Sequence, residues 1–125
     1  MTRLFDSTVL IAHLRGQPEA TRLLRAAVAD NEAAASVLSR VEIEGGMRSG
    51  ERTNVARLFS ALHLESVSDA IAARAGGLLR KYRRSYSSID LVDYVIAATA
   101  EELGAELMTL NVRHFPMFDD LQPAF

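Results

Sequence analysis

Asp6, Glu42, Asp90 and Asp93 stand apart from the other carboxylates of this chain by the company they keep. Asp93 lies within Leu91-Val92-Asp93-Tyr94-Val95-Ile96-Ala97-Ala98-Thr99-Ala100, a helical pattern that is apolar nearly all round. Such a helix is buried, and a buried carboxylate is costly unless it is paired, hydrogen-bonded or bound to a metal. An ion pair with an Arg is its structural alternative. Asp6 ends a short apolar run and precedes a helix start, so it can cap that helix, although Ser7 or Thr8 could do so equally. Glu42 follows Ser39 with capping-box spacing, and the same position points it toward the mouth of the fold. Asp90 precedes Asp93 by one helical turn, so the two share a face. Ser87-x-x-Asp90 also has capping-box spacing, which leaves Asp90 open between cap and ligand.

Carboxylates gathered without partners repel, and a divalent cation among them removes that cost. Oxygen donors with few His suit Mg²⁺ or Mn²⁺. No His-x-His or His-Glu-x-x-His pair points to zinc. His13, His63 and His114 are scattered and read as structural or surface residues. Glu101, Glu102, Asp119 and Asp120 read as a solvated face, and Glu44 as exposed and paired with Arg48 at i,i+4.

The cations are also unevenly spread. Residues 70–89 carry Arg74, Arg80, Lys81, Arg83 and Arg84 with no acid, and Tyr82 and Tyr86 are interleaved. This run could hold phosphates while the tyrosines stack on unpaired bases. A solvated helix end is the alternative. Arg113 and His114 add positive charge just after Asn111. The chain as a whole has a net charge of −2, so no global field draws it to nucleic acid; contact must come from a local patch.

Short apolar runs alternating with helical patterns must position these groups. Strands are expected at 3–5, 33–37, 63–67 and 106–109, with a short last one near Leu121. Helices are expected from Ser7-Thr8 to Leu14, over 19–29, after Ser39 to about Gly50, over 54–62, from the Ser68 cap to Tyr82, and over 89–103 with Gly104 as its stop. Strands separated by helices predict an α/β fold with a mainly parallel sheet covered on both faces. Ligands bind such sheets beyond the carboxyl ends of the strands. Asp6 and Thr109-Leu110-Asn111 stand at two of those ends.

The 125 residues contain no Pro-rich, Gly/Ser-rich or repeated divider, which predicts one domain over 1–125. The absence of Cys excludes disulfides, thiolate zinc sites, iron–sulfur clusters and thiol catalysis. No run of about 18 apolar residues predicts a membrane span. Asp6, His13 and Arg15 interrupt the only apolar run near the start, so no secretory signal is expected there. A cytoplasmic protein fits both. Lys81, the only Lys, sits in a helix, which excludes a P-loop. Lys81 also precedes the last strands, which counts against a receiver domain.

In order along the chain, Asp6-Ser7-Thr8-Val9-Leu10-Ile11, Ser36-Val37-Leu38-Ser39-Arg40-Val41-Glu42-Ile43, Asp93-Tyr94-Val95-Ile96-Ala97-Ala98-Thr99-Ala100 and Thr109-Leu110-Asn111-Val112-Arg113-His114-Phe115 resemble the motifs of PIN-domain ribonucleases. Within that family they are most similar to the VapC-type toxins of toxin–antitoxin modules. The resemblance spans nearly the whole chain. It implies a three-layer α/β/α sandwich, and an acidic pocket of Asp6, Glu42 and Asp93 holding Mg²⁺ or Mn²⁺, with Asp90 adding charge. It also implies that Thr109 and Asn111 orient water or phosphate, and that the substrate is RNA. Asn111 stands where many members carry a fourth Asp, which reduces the charge available for a second ion. A homodimer and a cognate VapB-type antitoxin are the implied partners. A catalytically silent module that uses the acidic pocket only for docking is the competing expectation.

Overall fold

Four short strands define the architecture in the computed structural model, which describes residues 1–125. The order is β1 (Arg3–Phe5), α1 (Ser7–Leu14), α2 (Pro18–Ala29), β2 (Ala33–Ser36), α3 (Val37–Gly46), α4 (Arg52–Ala61), β3 (His63–Glu65), α5 (Asp69–Tyr82), α6 (Leu91–Leu103) and β4 (Glu106–Met108). A 3₁₀ turn, Val112–His114, follows. All pairings are parallel, in the order β3-β2-β1-β4. Leu4 stands opposite Ala34 on one side and Leu107 on the other.

The period-2 alternation of the strands separates two cores. Phe5, Ala33, Ala35 and Met108 face Val9, Leu10, Leu24, Ile43, Leu58 and Phe59 from α1 to α4. Leu4, Ala34 and Leu107 face Ile96, Ala97, Ala100 and Phe115 on the other side. Both faces are thus apolar and covered, as a parallel sheet requires. The result is the expected three-layer α/β/α sandwich. The outermost helix, α5, packs on α6 through Ile71, Ala75, Tyr94, Val95 and Ala98. No helix is long and apolar enough to cross a membrane.

Several local expectations are corrected. The cap of α3 is Ser36, whose Oγ accepts from the Leu38 N–H at 3.1 Å; the helix begins directly after β2, so Ser39 lies inside it and forms no capping box with Glu42. Asp90 is itself the cap of α6, in a capping box with Asp93, which displaces the Ser87 reading. Glu44 pairs with Arg40 at 3.2 Å instead of Arg48. Arg74 is taken up by Glu101 and Glu102 of α6, so it leaves the free basic run and those acids are not merely solvated. The tail near Leu121 forms no strand; instead Ala124 N–H donates to the Thr109 carbonyl at 2.8 Å. Gly104 ends α6 at φ +60°, the left-handed conformation that Gly adopts without a Cβ penalty.

Candidate active site

The sheet changes direction of build between β1 and β4: β2 and β3 extend it on one side of β1, and β4 lies on the other. A crevice opens at such a switch point beyond the strand ends. Asp6 follows β1 and Thr109 follows β4, so the crevice receives one polar group from each. The middle of α3 contributes Glu42, and the start of α6 contributes Asp90 and Asp93. Asp6, Glu42, Asp90 and Asp93 line one pocket of about 140 Å³ together with Ser7, Thr8, Asn111 and His114.

Asp6 is 6% exposed and caps α1. Its Oδ1 accepts from the Thr8 N–H at 3.0 Å and the Thr8 hydroxyl at 2.5 Å. Its Oδ2 accepts from the Thr109 hydroxyl at 2.5 Å. Each hydroxyl is fixed from behind by an amide beyond β4: Leu110 N–H donates to Thr8 Oγ1 at 3.0 Å, and Asn111 N–H donates to Thr109 Oγ1 at 2.9 Å. With an N–H occupying one lone pair, each hydroxyl proton is directed at the carboxylate. Two symmetrical relays thus orient Asp6, which therefore serves as cap and pocket acid together. Burial pushes its carboxyl above the ordinary range, and the hydrogen bonds from Thr109, Thr8 and Val9 oppose that push.

Asp93 occupies the third position of α6, with its side chain 17% exposed. No Arg pairs with it. Its Oδ2 lies 2.9 Å from Nδ1 of His114 and accepts from the Asp90 N–H at 3.3 Å. Asp90 Oδ1 accepts from the Asp93 N–H at 3.1 Å. Burial, then the neighbouring Asp90 charge, pushes the Asp93 carboxyl up to about 6. The Asp90 N–H and His114 act in the opposite direction. Glu42 is exposed, and its Oε1 accepts from the Ser7 hydroxyl at 2.6 Å, a contact that ties α3 to α1 across the mouth.

Five residues singled out in the sequence, Asp6, Glu42, Asp90, Asp93 and Asn111, therefore line one pocket, with Thr109 behind Asp6. Three participants are new. Ser7 and Thr8 are expected as alternative caps within the first motif and prove to line the pocket. His114 is expected as a structural or surface residue that adds positive charge after Asn111, yet its ring stands against Asp93. The signal for it was its place three residues after Asn111, one 3₁₀ turn along. Arg80, Lys81, Arg83 and Arg84 are exposed at the end of α5 and in the loop leading to Asp90, and Arg113 is exposed on the 3₁₀ turn. Lys81 Nζ sits 5.3 Å from the centre of the Tyr82 ring, and the Tyr82 and Tyr86 rings lie 5.9 Å apart. None of these basic residues lines the pocket.

The donor set suits a hard cation. The carboxylate oxygens retain lone pairs after their hydrogen bonds, and no sulfur is present. No three acidic or imidazole groups close into a ready-made cage. Mg²⁺ does not require one, because it keeps several waters and takes one or two carboxylates directly.

Residues 3–120 match the PIN domain family. Ribonuclease VapC10 of Mycobacterium tuberculosis is 50% identical over 122 residues, covering 98% of this chain and 92% of that protein. Ribonuclease VapC19 of the same organism is 47% identical over 124 residues, covering 98% and 99%. Among solved structures, a toxin–antitoxin complex from Klebsiella pneumoniae contains a chain that superposes with a TM-score of 0.79 at 26% identity, covering 99% of this chain and 98% of that one.

Proposed function

The chain belongs to the PIN-domain family, and from that premise we propose that it is a metal-dependent endoribonuclease acting as the toxin of a toxin–antitoxin pair. The observation that carries this reading is the convergence of Asp6, Glu42, Asp90 and Asp93 from three separate elements on one pocket at the β1/β4 switch point. A structural use of these acids would distribute them among Arg partners. Here Arg74, Arg40 and Arg15 are engaged by other acids, Glu101 and Glu102, Glu44 and Glu51 respectively.

Asp6 and Asp93 are the principal ligands in this reading, with Glu42 and Asp90 adding charge at the rim. The ion is Mg²⁺ or Mn²⁺; when bound it acidifies water and stabilises charge on the scissile phosphate. The protein's own groups do the rest. The Thr8 and Thr109 relays hold Asp6 in one rotamer, so its free lone pairs face the pocket before substrate arrives. Ser7 holds Glu42 at the mouth, where its second oxygen is free to take a proton from an attacking water. Asn111 adds amide dipoles without negative charge, which suits the approach of a phosphodiester. Arg80, Lys81, Arg83, Arg84 and Arg113 hold flanking phosphates outside the pocket. Tyr86, exposed in the loop before Asp90, offers a face to an unpaired base.

A VapB-type antitoxin is the protein partner in this reading, and a homodimer the assembly. A groove of about 540 Å³ between α2 and α4, floored by Leu24, Val28 and Leu58 and flanked by Arg25 and Arg57, has room for a partner segment. Action on RNA places the protein in the cytoplasm, where the absence of Cys is unremarkable. The test is cleavage of total RNA by purified protein. Activity should require Mg²⁺ or Mn²⁺, stop with EDTA, and vanish in Asp6→Asn and Asp93→Asn. A folded Asp93→Asn protein that cleaves RNA as well as the parent would sink the proposal.

A further inference from the structure

We propose that the open edge of β4 is a docking site for an extended segment of a partner protein that carries apolar and basic side chains on one face. The site lies outside the acidic pocket and does not depend on the reading of that pocket.

The ladder leaves one residue of β4 unused. In a parallel pair, successive residues of a strand turn their N–H and C=O to opposite edges. The Glu106 N–H donates to the Thr2 carbonyl at 2.9 Å, and the Met108 carbonyl accepts from the Asp6 N–H at 3.0 Å, so both residues face β1. Leu107, between them, turns its N–H and C=O outward, where the sheet ends. Neither group has a hydrogen-bond partner in the chain. Leu107 is only 6% exposed, and an unpaired peptide group in such surroundings favours a partner that completes its hydrogen bonds. An open strand edge is a template for a further strand.

Beside this edge lies a groove of about 420 Å³, lined by Leu107, Met117, Phe118 and Leu121 together with Asp119 and Asp120. Its wall is held in place by two turns: Phe118 N–H donates to the Phe115 carbonyl at 3.1 Å, and Leu121 N–H to the Phe118 carbonyl at 3.4 Å. The Phe118 ring lies 6.4 Å from that of Phe115, which is 1% exposed. A preformed groove spares the ordering cost of binding. In strand addition, main-chain bonds hold the segment and alternate side chains enter such pockets.

Charge selects the occupant. Asp119 and Asp120 are exposed, no cation lines the groove with them, and neither forms an ion pair in the chain. A second copy paired edge to edge would bring two such pairs of acids together, which is unfavourable. The chain's own tail stops short: Ala124 bonds the Thr109 carbonyl further along the same edge, and Phe125 then passes to Glu19, Arg22 and Leu23 of α2. A basic segment from another protein satisfies both the acids and the free peptide groups.

The experiment titrates the ¹⁵N-labelled protein with the peptide acetyl-Thr-Leu-Thr-Lys-Thr-Val-amide and follows amide shifts. The Leu107 N–H should move downfield and saturate, with smaller shifts at Asp119 and Asp120. Replacing Lys by Glu in the peptide, or making Asp119→Asn with Asp120→Asn in the protein, should weaken binding about fivefold, as loss of exposed ion pairs implies. Both positions are exposed, and a melting curve checks that the variant folds. Two further peptides, N-methylated at alternate residues, test main-chain pairing: one set should abolish binding and the other retain it. No shift at Leu107, or equal loss with both methylated peptides, overturns strand addition. Equal binding of the Lys and Glu peptides overturns the basic partner. A concentration-dependent shift of Leu107 without peptide, with a dimer in sedimentation, makes a second copy the occupant and overturns the proposal. None of these measurements involves RNA cleavage, so the nuclease reading stands or falls separately.

Discussion

Replacing Asp93 by Asn should stabilise the metal-free protein while ending its catalysis. The Asp93 carboxyl titrates at about 6 in the fold against an ordinary value of 3.8. A carboxyl whose pKa is higher when folded binds its proton more tightly in the folded state. Stability therefore falls as pH rises from about 4 through 6, and the full cost is present above that. The difference corresponds to about 3 kcal/mol at neutral pH as an upper limit. Asn removes the charge and keeps an oxygen that can accept from the Asp90 N–H. It gives up the contact with His114, a partly exposed pair worth about 1 kcal/mol. A net gain of about 1–2 kcal/mol remains, or roughly 4–8 °C in melting temperature for a chain of this size.

The assay is thermal unfolding of both proteins in EDTA at pH 7.5 and at pH 5. At pH 5 the parent recovers about half of the cost by protonation, so the gap between the two proteins should shrink accordingly. Asp6→Asn is the informative companion. Its carboxyl is also raised by burial, but both of its oxygens accept hydroxyl protons, and an amide offers only one acceptor. One buried hydroxyl is left without a partner, at about 1–3 kcal/mol, so Asp6→Asn should melt below Asp93→Asn although the chemical change is identical. An Asp93→Asn protein no more stable than the parent at pH 7.5, or a gap that persists unchanged at pH 5, would refute the reasoning.

Thr109→Val keeps the shape of the side chain but removes the donor to Asp6 and the acceptor for the Asn111 N–H; Mn²⁺ affinity by calorimetry should fall severalfold, with a loss of about 1–3 kcal/mol in chemical denaturation. Arg83→Ala combined with Arg84→Ala should weaken RNA binding and flatten the slope of log K against log salt by about 1.4, while leaving Mn²⁺ affinity unchanged. Tyr94→Phe should raise the melting temperature by a few degrees, because the Tyr94 hydroxyl is buried with no hydrogen-bond partner. Gly104→Ala should lower it by a similar amount, since Ala must adopt φ +60° at the end of α6.

What the sequence could reveal followed physical periodicity. The alternation of strand and helix patterns was enough to place Asp6 and Thr109 at strand ends, and the apolar run of α6 marked Asp93 as a carboxylate needing a reason. What stayed hidden depended on distances between elements. The capping box assigned to Ser39 and Glu42 failed because β2 runs straight into α3, so Ser36 takes the cap and Glu42 turns to Ser7. Arg74 looked free because its acids, Glu101 and Glu102, lie one helix later in the chain. His114 looked incidental because nothing local distinguishes a histidine on a 3₁₀ turn from any surface histidine; only the return of β4 beside β1 brings that turn over α6.

The same return explains how one aspartate can both cap a helix and keep oxygen lone pairs turned into the pocket. A capping carboxylate usually spends its oxygens on the amides of its own helix. At Asp6 the amides of Thr8 and Val9 take only part of that capacity, and the other donors are hydroxyls whose own lone pairs are filled from the β4 side. If β4 were displaced, both hydroxyls would lose the amides that aim them, and Asp6 would be free to rotate toward solvent. The parallel pairing of Phe5 with Met108 is therefore part of the site's construction: it sets the height at which Thr109 meets Asp6. Ala124, donating to the Thr109 carbonyl, holds the same strand end from outside. The acids of the pocket are costly where they stand, and the sheet order is what keeps them there.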